Sequence, residues 1–471
     1  MSYKVDKNCR EIYLILTLVT CCMPTGISIY MTIFTHSKMR LLCKNDFEDY
    51  EIKNCEQTCS GNKTYWKSDL KFPENQVTIY KTYNLVNCDD HLRIKASQGF
   101  IQIGYLIGSF LSGYSADIFG RKPTLVVCYT IHTILFLVYL ILPSIEVFSM
   151  VYLTQIAFQV GLSRSVTVLI SELFSEIRKP WSNPLYVSGQ AIGIVLCSLT
   201  AWIFPNWMHQ MTAYFVLSVP GFILIYFLPE SDTWLDCNQK ISKKQVIQED
   251  EPLKNPIQDH DFPLLSIFTN KILLKRFLVF SIFTWPSTLG IYYLLLWSSS
   301  NVGRNPYFNS IYMAIADLSA CGFTSKFVKY GTRTTFFILH TLTLTLILIS
   351  WIFEDNESVI AVFFWIERFS STATFALVTC WVGEVFPTNL RTIGFGVTTS
   401  LSRAISFGTP FIASYRNSQD SSLFWLFQII LIGLSLVFSG LFLPESKHIR
   451  EPCTVADLKD QDNTVLSNKF C

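Results

Sequence analysis

Residues 97–142 read SQGFIQIGYLIGSFLSGYSADIFGRKPTLVVCYTIHTILFLVYLIL, and this stretch decides the fold. Two apolar runs, 97–116 and 124–142, flank a short polar turn that ends in Gly120-Arg121-Lys122. Each run has the ~20 residues that a helix needs to cross hydrocarbon. The pattern continues on both sides. Runs of spanning length lie near 11–33, 150–171, 184–203 and 211–228. After a polar stretch, 229–271, they resume near 274–297, 307–327, 333–352, 359–381, 392–414 and 422–443. The sequence therefore predicts an all-α membrane protein of twelve transmembrane helices, six on each side of a linker.

Composition agrees. Half of the 471 residues are apolar and 15% are charged, where a soluble domain carries about a quarter charged. A net charge of +2 argues against nucleic acid or any strongly charged macromolecule as partner. Lys4, Lys7 and Arg10 mimic a secretory leader, but the apolar run after them is too long and has no small-residue cleavage site, so it is kept as the first span.

With both termini inside, the short inner loops hold Arg121, Lys122, Arg178, Lys179, Lys326, Lys329, Arg333 and Arg391, whereas the short outer loops hold Arg304 and Arg416. Excess cations mark the cytoplasmic side, which makes both termini cytoplasmic and the plasma membrane the expected location. The two N-x-[ST] sequons, Asn62 and Asn356, both fall outside. Asn356 is too close to the membrane for modification, so Asn62 is the expected glycosylation site. The outer loop 34–96 also holds Cys43, Cys55, Cys59 and Cys88. Four cysteines in an oxidising compartment read as two disulfides with three possible pairings; a zinc site is the rival, but no His pair accompanies them.

Three segments recur in order. Gly120-Arg121-Lys122 parallels Gly331-Thr332-Arg333, Ser171–Arg178 parallels Gly383–Arg391, and Leu228-Pro229-Glu230-Ser231 parallels Leu443-Pro444-Glu445-Ser446, at offsets of 211 to 215 residues. The halves are therefore duplicates, and because six is even they enter the membrane with the same orientation. The expected domains are 1–228, the linker 229–271, a second half 272–446, and a tail 447–471.

Local chemistry gives these segments roles. Gly113 allows close helix approach. Asp117 can accept from helix N-terminal amides or pair with a cation. Arg121 and Lys122 suit anionic headgroups. Glu172 with Arg178, and Glu384 with Arg391, are matching acid–base pairs at inner helix ends. The run Gly113 to Lys122, with Asp117 and Gly120 inside it, resembles the G-x-L-a-D-R-x-G-R-K loop of the major facilitator superfamily, whose architecture is parallel six-helix repeats. That resemblance implies a latch between halves at Gly113, Asp117, Gly120, Arg121 and Lys122, linked to Glu172, Arg178, Glu384 and Arg391. Ile118 stands where the pattern has Arg.

A narrower resemblance runs from about 97 to 450. Glu384-Val-Phe-Pro-Thr-Asn-Leu-Arg391-Thr-Ile-Gly394 is similar to the E-L-Y-P-T-x-x-R-x-x-G segment of the organic cation, organic anion and carnitine transporters (solute carrier family 22). Residues 229–235 resemble its P-E-S-P-R-W-L, with Asp232 and Thr233 replacing Pro-Arg.

Ionisable residues within spans are costly and tend to face a cavity. Arg403 lies twelve residues past Arg391, ~18 Å along a helix and near mid-membrane. The resemblance implies Arg at this position in the anion and carnitine branches and Asp in the cation branch. Asp317 lies ~15 Å into its span and can balance Arg403 or Arg368, or take up a proton. Four residues on, Cys321 replaces the Lys frequent in the anion branch. Arg368 matches a basic family position; Glu367 beside it points about 100° away and reads as an interhelical pair. Arg164 has no family counterpart and reads as structural, since snorkelling is cheap in the inner half. Phe34, Tyr186, Tyr292, Tyr293, Trp297 and Trp365 are candidate cavity aromatics, with Tyr292 and Tyr293 favoured.

The expected function is transport of a small organic ion, anionic or zwitterionic, by alternating access, with sodium, a proton or a counter-substrate as coupling partner. A non-transporting sensor on the same fold is the alternative, suggested by Ile118, Asp232 and Thr233. No enzyme motif, cofactor motif or metal cluster is evident.

Overall fold

The computed structural model describes residues 7–36, 41–44, 50–53, 70–71, 77–83, 88–142, 144–174, 182–231, 235, 270–299, 302, 305–327, 330–386, 391–417 and 421–444. Cys55, Cys59, Asn62, Arg178, Asp232 and Thr233, and the side chains of Cys43, Cys88, Asp117 and Arg391, lie outside the described residues. The expected disulfides and the Asn62 glycan therefore fall outside them too.

Among the described residues, twelve long helical segments follow in order, besides a short helix at Ile79–Thr82. The first half contains α1 (Lys7–Thr35), α2 (Cys88–Phe119), α3 (Arg121–Val138), α4 (Ile145–Leu173), α5 (Ser182–Ile203) and α6 (Trp207–Tyr226). The second contains α7 (Lys271–Ser298), α8 (Pro306–Phe327), α9 (Thr332–Ile352), α10 (Glu357–Val385), α11 (Arg391–Ser406, then Thr409–Ser414) and α12 (Ser421–Phe442). This is a major facilitator fold of two parallel six-helix repeats. Among the described residues, nine of these segments are long and apolar enough to cross a membrane by composition alone. The other three, α2, α8 and α11, face one another's halves: α2 packs along α11, and α5 along α8. Helices that line an interface between halves can carry polar residues that a lipid-facing helix cannot.

We call the membrane face bearing the Gly120 and Gly331 turns the turn face, and the opposite one the far face. The far-face segment between α1 and α2 contains short strands. Leu41–Lys44 (β1), Tyr50–Lys53 (β2) and Leu70–Lys71 (β3) form an antiparallel sheet in the order β2-β1-β3. The segment is also shorter than 34–96, because Cys88 already belongs to α2. Val77 ties it to the α5–α6 connection: Val77 N–H donates to the Pro205 carbonyl at 3.3 Å, and Trp207 N–H to the Val77 carbonyl at 3.1 Å.

Duplication is visible in side-chain detail. Gly120 and Gly331 both hold positive φ, +103° and +115°, a conformation that Gly adopts freely. Each is followed by a Thr that closes the first turn of α3 or α9: Thr124 Oγ1 donates to the Gly120 carbonyl at 2.9 Å, and Thr335 Oγ1 to the Gly331 carbonyl at 2.8 Å. A buried His on the third helix of each half meets a Ser on the first, His132 with Ser28 at 2.8 Å and His340 with Ser287 at 3.0 Å. Close packing within a half uses glycine: a Cβ at Gly193 of α5 would fall on the Met23 carbonyl of α1.

The halves touch across the centre and toward the far face. Phe34 stacks on Tyr307 with ring centroids 5.4 Å apart. Tyr30 O–H donates to the Met313 sulfur at 3.5 Å. Phe407 lies against Gly99, where an added Cβ would come within 2.9 Å of its ring.

Candidate functional site

Arg403 occupies the last turn of the first α11 segment, where exposed helix carbonyls favour a cation. Its Nη1 donates to the Tyr293 hydroxyl at 2.8 Å and to Gln102 Oε1 at 3.1 Å. Its guanidinium carbon lies 4.1 Å from the Tyr105 ring centre and 5.4 Å from that of Tyr293. Gln102 and Tyr105 are three residues apart on α2, hence on one helix face. A cation of the second half is thus held by neutral groups from both halves. Since the guanidinium only donates, the amide oxygen of Gln102 must face it, which fixes the amide orientation. Gln102 is 1% exposed, and its Nε2 has no protein partner. A buried donor without a partner is uncommon. Tyr105 is anchored from behind by α4, since Gln159 Nε2 donates to its hydroxyl at 3.2 Å.

Asp317 and Arg368 form a different arrangement. Arg368 Nε and Nη2 donate to Asp317 Oδ1 and Oδ2, both at 2.8 Å. Thr372 Oγ1 adds a bond to Oδ1 at 2.6 Å. Arg368 Nη1 reaches the Tyr292 carbonyl at 3.1 Å, and the guanidinium lies 3.5 Å over the Tyr292 ring. Arg368 is wholly buried. Of the two balances open to Asp317, the structure has the one with Arg368. Tyr292 and Tyr293, adjacent in sequence, separate by ~100° around α7: one goes to Arg368, the other to Arg403.

The remaining candidates scatter. Glu367 accepts from Ser350 of α9 at 2.9 Å, an interhelical contact as expected. Trp365 packs on Tyr312, with centroids 4.1 Å apart. Phe34 contributes to the far-face contact, and Trp297 is buried. Arg164 is half-buried. Gln102, Tyr105 and Gln159 were not legible as site residues, because uncharged polar groups in a span give little signal. The i, i+3 spacing of Gln102 and Tyr105 in an otherwise apolar run is the one available cue.

At the turn face, Glu230 carries a role that its motif alone does not reveal. Its carboxylate accepts from Lys122 N–H at 3.1 and 3.2 Å and from Ser231 N–H at 2.9 Å, so the segment after α6 caps α3. Arg121 Nη1 donates to the Ala116 carbonyl at 3.0 Å, and its Nε lies 3.9 Å from Glu172. In the second half Thr332, the equivalent of Arg121, donates to Glu384 at 2.9 Å. Ile118, where the family pattern has Arg, is exposed. Gly120 combines φ of +103° with a Cβ position 2.6 Å from Glu230 Oε2. Gly120→Ala is therefore expected to lower stability by about 1–3 kcal/mol, while Gly396→Ala, which has open space and no positive φ, does not. Thermal denaturation in detergent checks the difference.

Comparison with known proteins agrees with this architecture. The Major Facilitator Superfamily family model matches residues 96–410. Solute carrier family 22 member 21 of Mus musculus is 24% identical over 445 residues, covering 88% of this chain and 75% of the relative. Solute carrier family 22 member 1 of Bos taurus is 26% identical over 408 residues, covering 81% and 71%. The Homo sapiens organic cation/carnitine transporter 2 is 24% identical over 404 residues, covering 80% and 71%. Among solved structures, the xylose transporter from E. coli in a partially occluded, inward-open conformation has a TM-score of 0.62 at 15% identity, covering 93% of this chain and 99% of that one. A D-xylose-proton symporter structure gives 0.60 at 13% identity, covering 93% and 98%. With twelve long helices among the described residues in two repeats, a central interface of polar helices and a match over residues 96–410, the chain belongs to the Major Facilitator Superfamily and is a membrane transporter similar to members of solute carrier family 22.

Proposed function

We propose that this transporter moves small organic anions, or zwitterions that present a carboxylate, by alternating access, with Arg403 receiving the carboxylate. The observation that carries the proposal is the asymmetry between two central cations. Arg368 is fully engaged by Asp317, whereas Arg403 is held by an amide, a phenol and a ring face. A carboxylate there would accept from the guanidinium and from the unpartnered Gln102 Nε2, exchanging neutral contacts for charge-assisted ones. Because Gln102 belongs to α2 and Arg403 to α11, the bound solute joins the two halves. The cation excess of the turn-face loops makes that face cytoplasmic, in the plasma membrane.

The test is radiolabelled uptake in oocytes of urate, p-aminohippurate, carnitine and tetraethylammonium, with and without sodium and with and without a pH gradient. Accumulation of a carboxylate-bearing or anionic probe is expected, and the gradient that drives it names the coupling partner. Uptake of tetraethylammonium alone would overturn the proposal.

A further inference from the structure

We infer that Glu367 is a proton-binding site, held inside the second half as a carboxylic acid, and that its exchangeable proton couples carboxylate uptake to a proton gradient. The coupling rests on the reading of Arg403 above; the proton site stands apart from it. Glu367 is 2% exposed and accepts one hydrogen bond, from the Ser350 hydroxyl of α9 at 2.9 Å. Among the described residues it forms no ion pair. Asp317, also buried, accepts three bonds, two of them from a guanidinium. Taking an ionised carboxylate out of water costs far more than one hydroxyl contact returns. The duplication supplies an independent comparison. Ser350 and Tyr139 each lie nineteen residues past a turn glycine, Gly331 or Gly120, and Glu367 and Gln155 each lie seventeen before a turn-face glutamate, Glu384 or Glu172. Gln155, wholly buried, accepts from the Tyr139 hydroxyl at 2.8 Å. Equivalent positions thus make equivalent hydrogen bonds, through an amide in one half and a carboxyl in the other. Gln155 Nε2 also donates to the His132 carbonyl at 3.4 Å. A carboxylate has no donor to offer, whereas a carboxylic acid has one and matches the amide in shape.

The charged and titratable groups around this position come from several elements. Arg416, at the far-face end of α11, has its guanidinium 5.5 Å from the ring centre of Phe364, one turn before Glu367. The α9–α10 connection brings Glu354 and Asp355, and α12 brings no charge. On α9, His340 lies ten residues before Ser350, ~15 Å along the helix, and pairs with Ser287. Arg368, next on α10, is closed onto Asp317 of α8. Glu367 lies ten residues from the far-face end of α10 and eighteen from its turn-face end, so the far face is the nearer source of protons. The acid keeps its proton while it is dry, and a conformation that wets it lets the proton go. A ligand that prefers one of two states shifts the protein toward that state, and the coupling is reciprocal. The route to the solute is short. Arg368 donates to the Tyr292 carbonyl of α7, and the neighbouring Tyr293 accepts from Arg403, so a shift of α10 is passed to the helix that holds Arg403.

The experiment uses the full chain and Glu367→Gln, a change to the residue that the first half already carries at the equivalent position. Infrared spectra of the purified protein at neutral pH are expected to show the carbonyl band of a buried protonated carboxyl, and Glu367→Gln is expected to lose it. An unchanged spectrum in Glu367→Gln would overturn the proton site. Transport is read in sodium-free proteoliposomes with radiolabelled p-aminohippurate, urate and carnitine. With one proton per solute, each unit of pH, alkaline inside, supports about tenfold accumulation by the wild type. Glu367→Gln is expected to equilibrate the probe without accumulating it. Gradient-driven accumulation by Glu367→Gln, or its absence in a wild type that equilibrates a probe, would overturn the coupling and leave Arg403 in place. Entry of none of these probes into wild-type vesicles overturns the Arg403 reading and the coupling together, while the infrared band decides the proton site alone. If Glu367→Gln fails to fold, wild-type protein treated with dicyclohexylcarbodiimide, which adds to protonated carboxyls, is mapped by mass spectrometry. An adduct on Glu367 supports the proton site, and adducts confined to other carboxyls overturn it.

Discussion

Arg403→Ala is expected to abolish uptake of carboxylate-bearing solutes while the protein still reaches the membrane. Truncating one partner of a desolvated, hydrogen-bonded charge pair costs about 2–5 kcal/mol, or about 30- to 3000-fold in affinity. The fold should tolerate the change, because the partners left behind, Gln102 Oε1 and the Tyr293 hydroxyl, are neutral. Arg403→Lys keeps a point charge but loses the planar fork, so its uptake should fall between wild type and Arg403→Ala. Surface biotinylation alongside uptake separates loss of transport from loss of protein. Normal uptake by Arg403→Ala would remove Arg403 from the site.

Asp317→Asn is expected to act on the fold. It leaves Arg368, wholly buried, facing an amide in place of a carboxylate, and breaking a buried pair by removing one partner costs about 3–5 kcal/mol. A marginally stable protein loses most of its folded population at that cost. Removing both charges, as Asp317→Leu with Arg368→Met, should recover much of the stability, since an apolar pair of similar volume is frequently no worse than a buried ion pair. Monodisperse yield and melting temperature in detergent read out the cycle. Single variants as stable as wild type would contradict a closed pair, and uptake by the double variant shows whether the pair also serves transport.

Much of the architecture was legible because lipid imposes a simple rule. A backbone crossing hydrocarbon must satisfy its own hydrogen bonds and cover itself with apolar side chains, so span count, helix boundaries and duplication all leave marks at fixed lengths. Arg403, Asp317 and Arg368 stood out for the same reason: an ionisable group inside a span is rare enough to be noticed singly. The short sheet of β1 to β3 was not legible, since its two- to four-residue strands lie among turn residues and cysteines that dominate the reading.

The sequence by itself determined the twelve spans, the two repeats, the turns at Gly120 and Gly331, and the identities of the charges at mid-membrane. Only the tertiary structure decided how those charges are shared. Asp317 could reach toward Arg403 or Arg368 by depth, and the choice depends on which faces of α8, α10 and α11 meet, a matter of helix rotation and long-range packing that local periodicity does not contain. The same packing brings Gln102 and Tyr105 of α2 to Arg403, and Glu230 to the amide of Lys122, across separations of more than 100 residues. Hydrogen bonds are short-ranged and directional, so partnership follows from geometry in the folded chain and from nothing nearer in sequence.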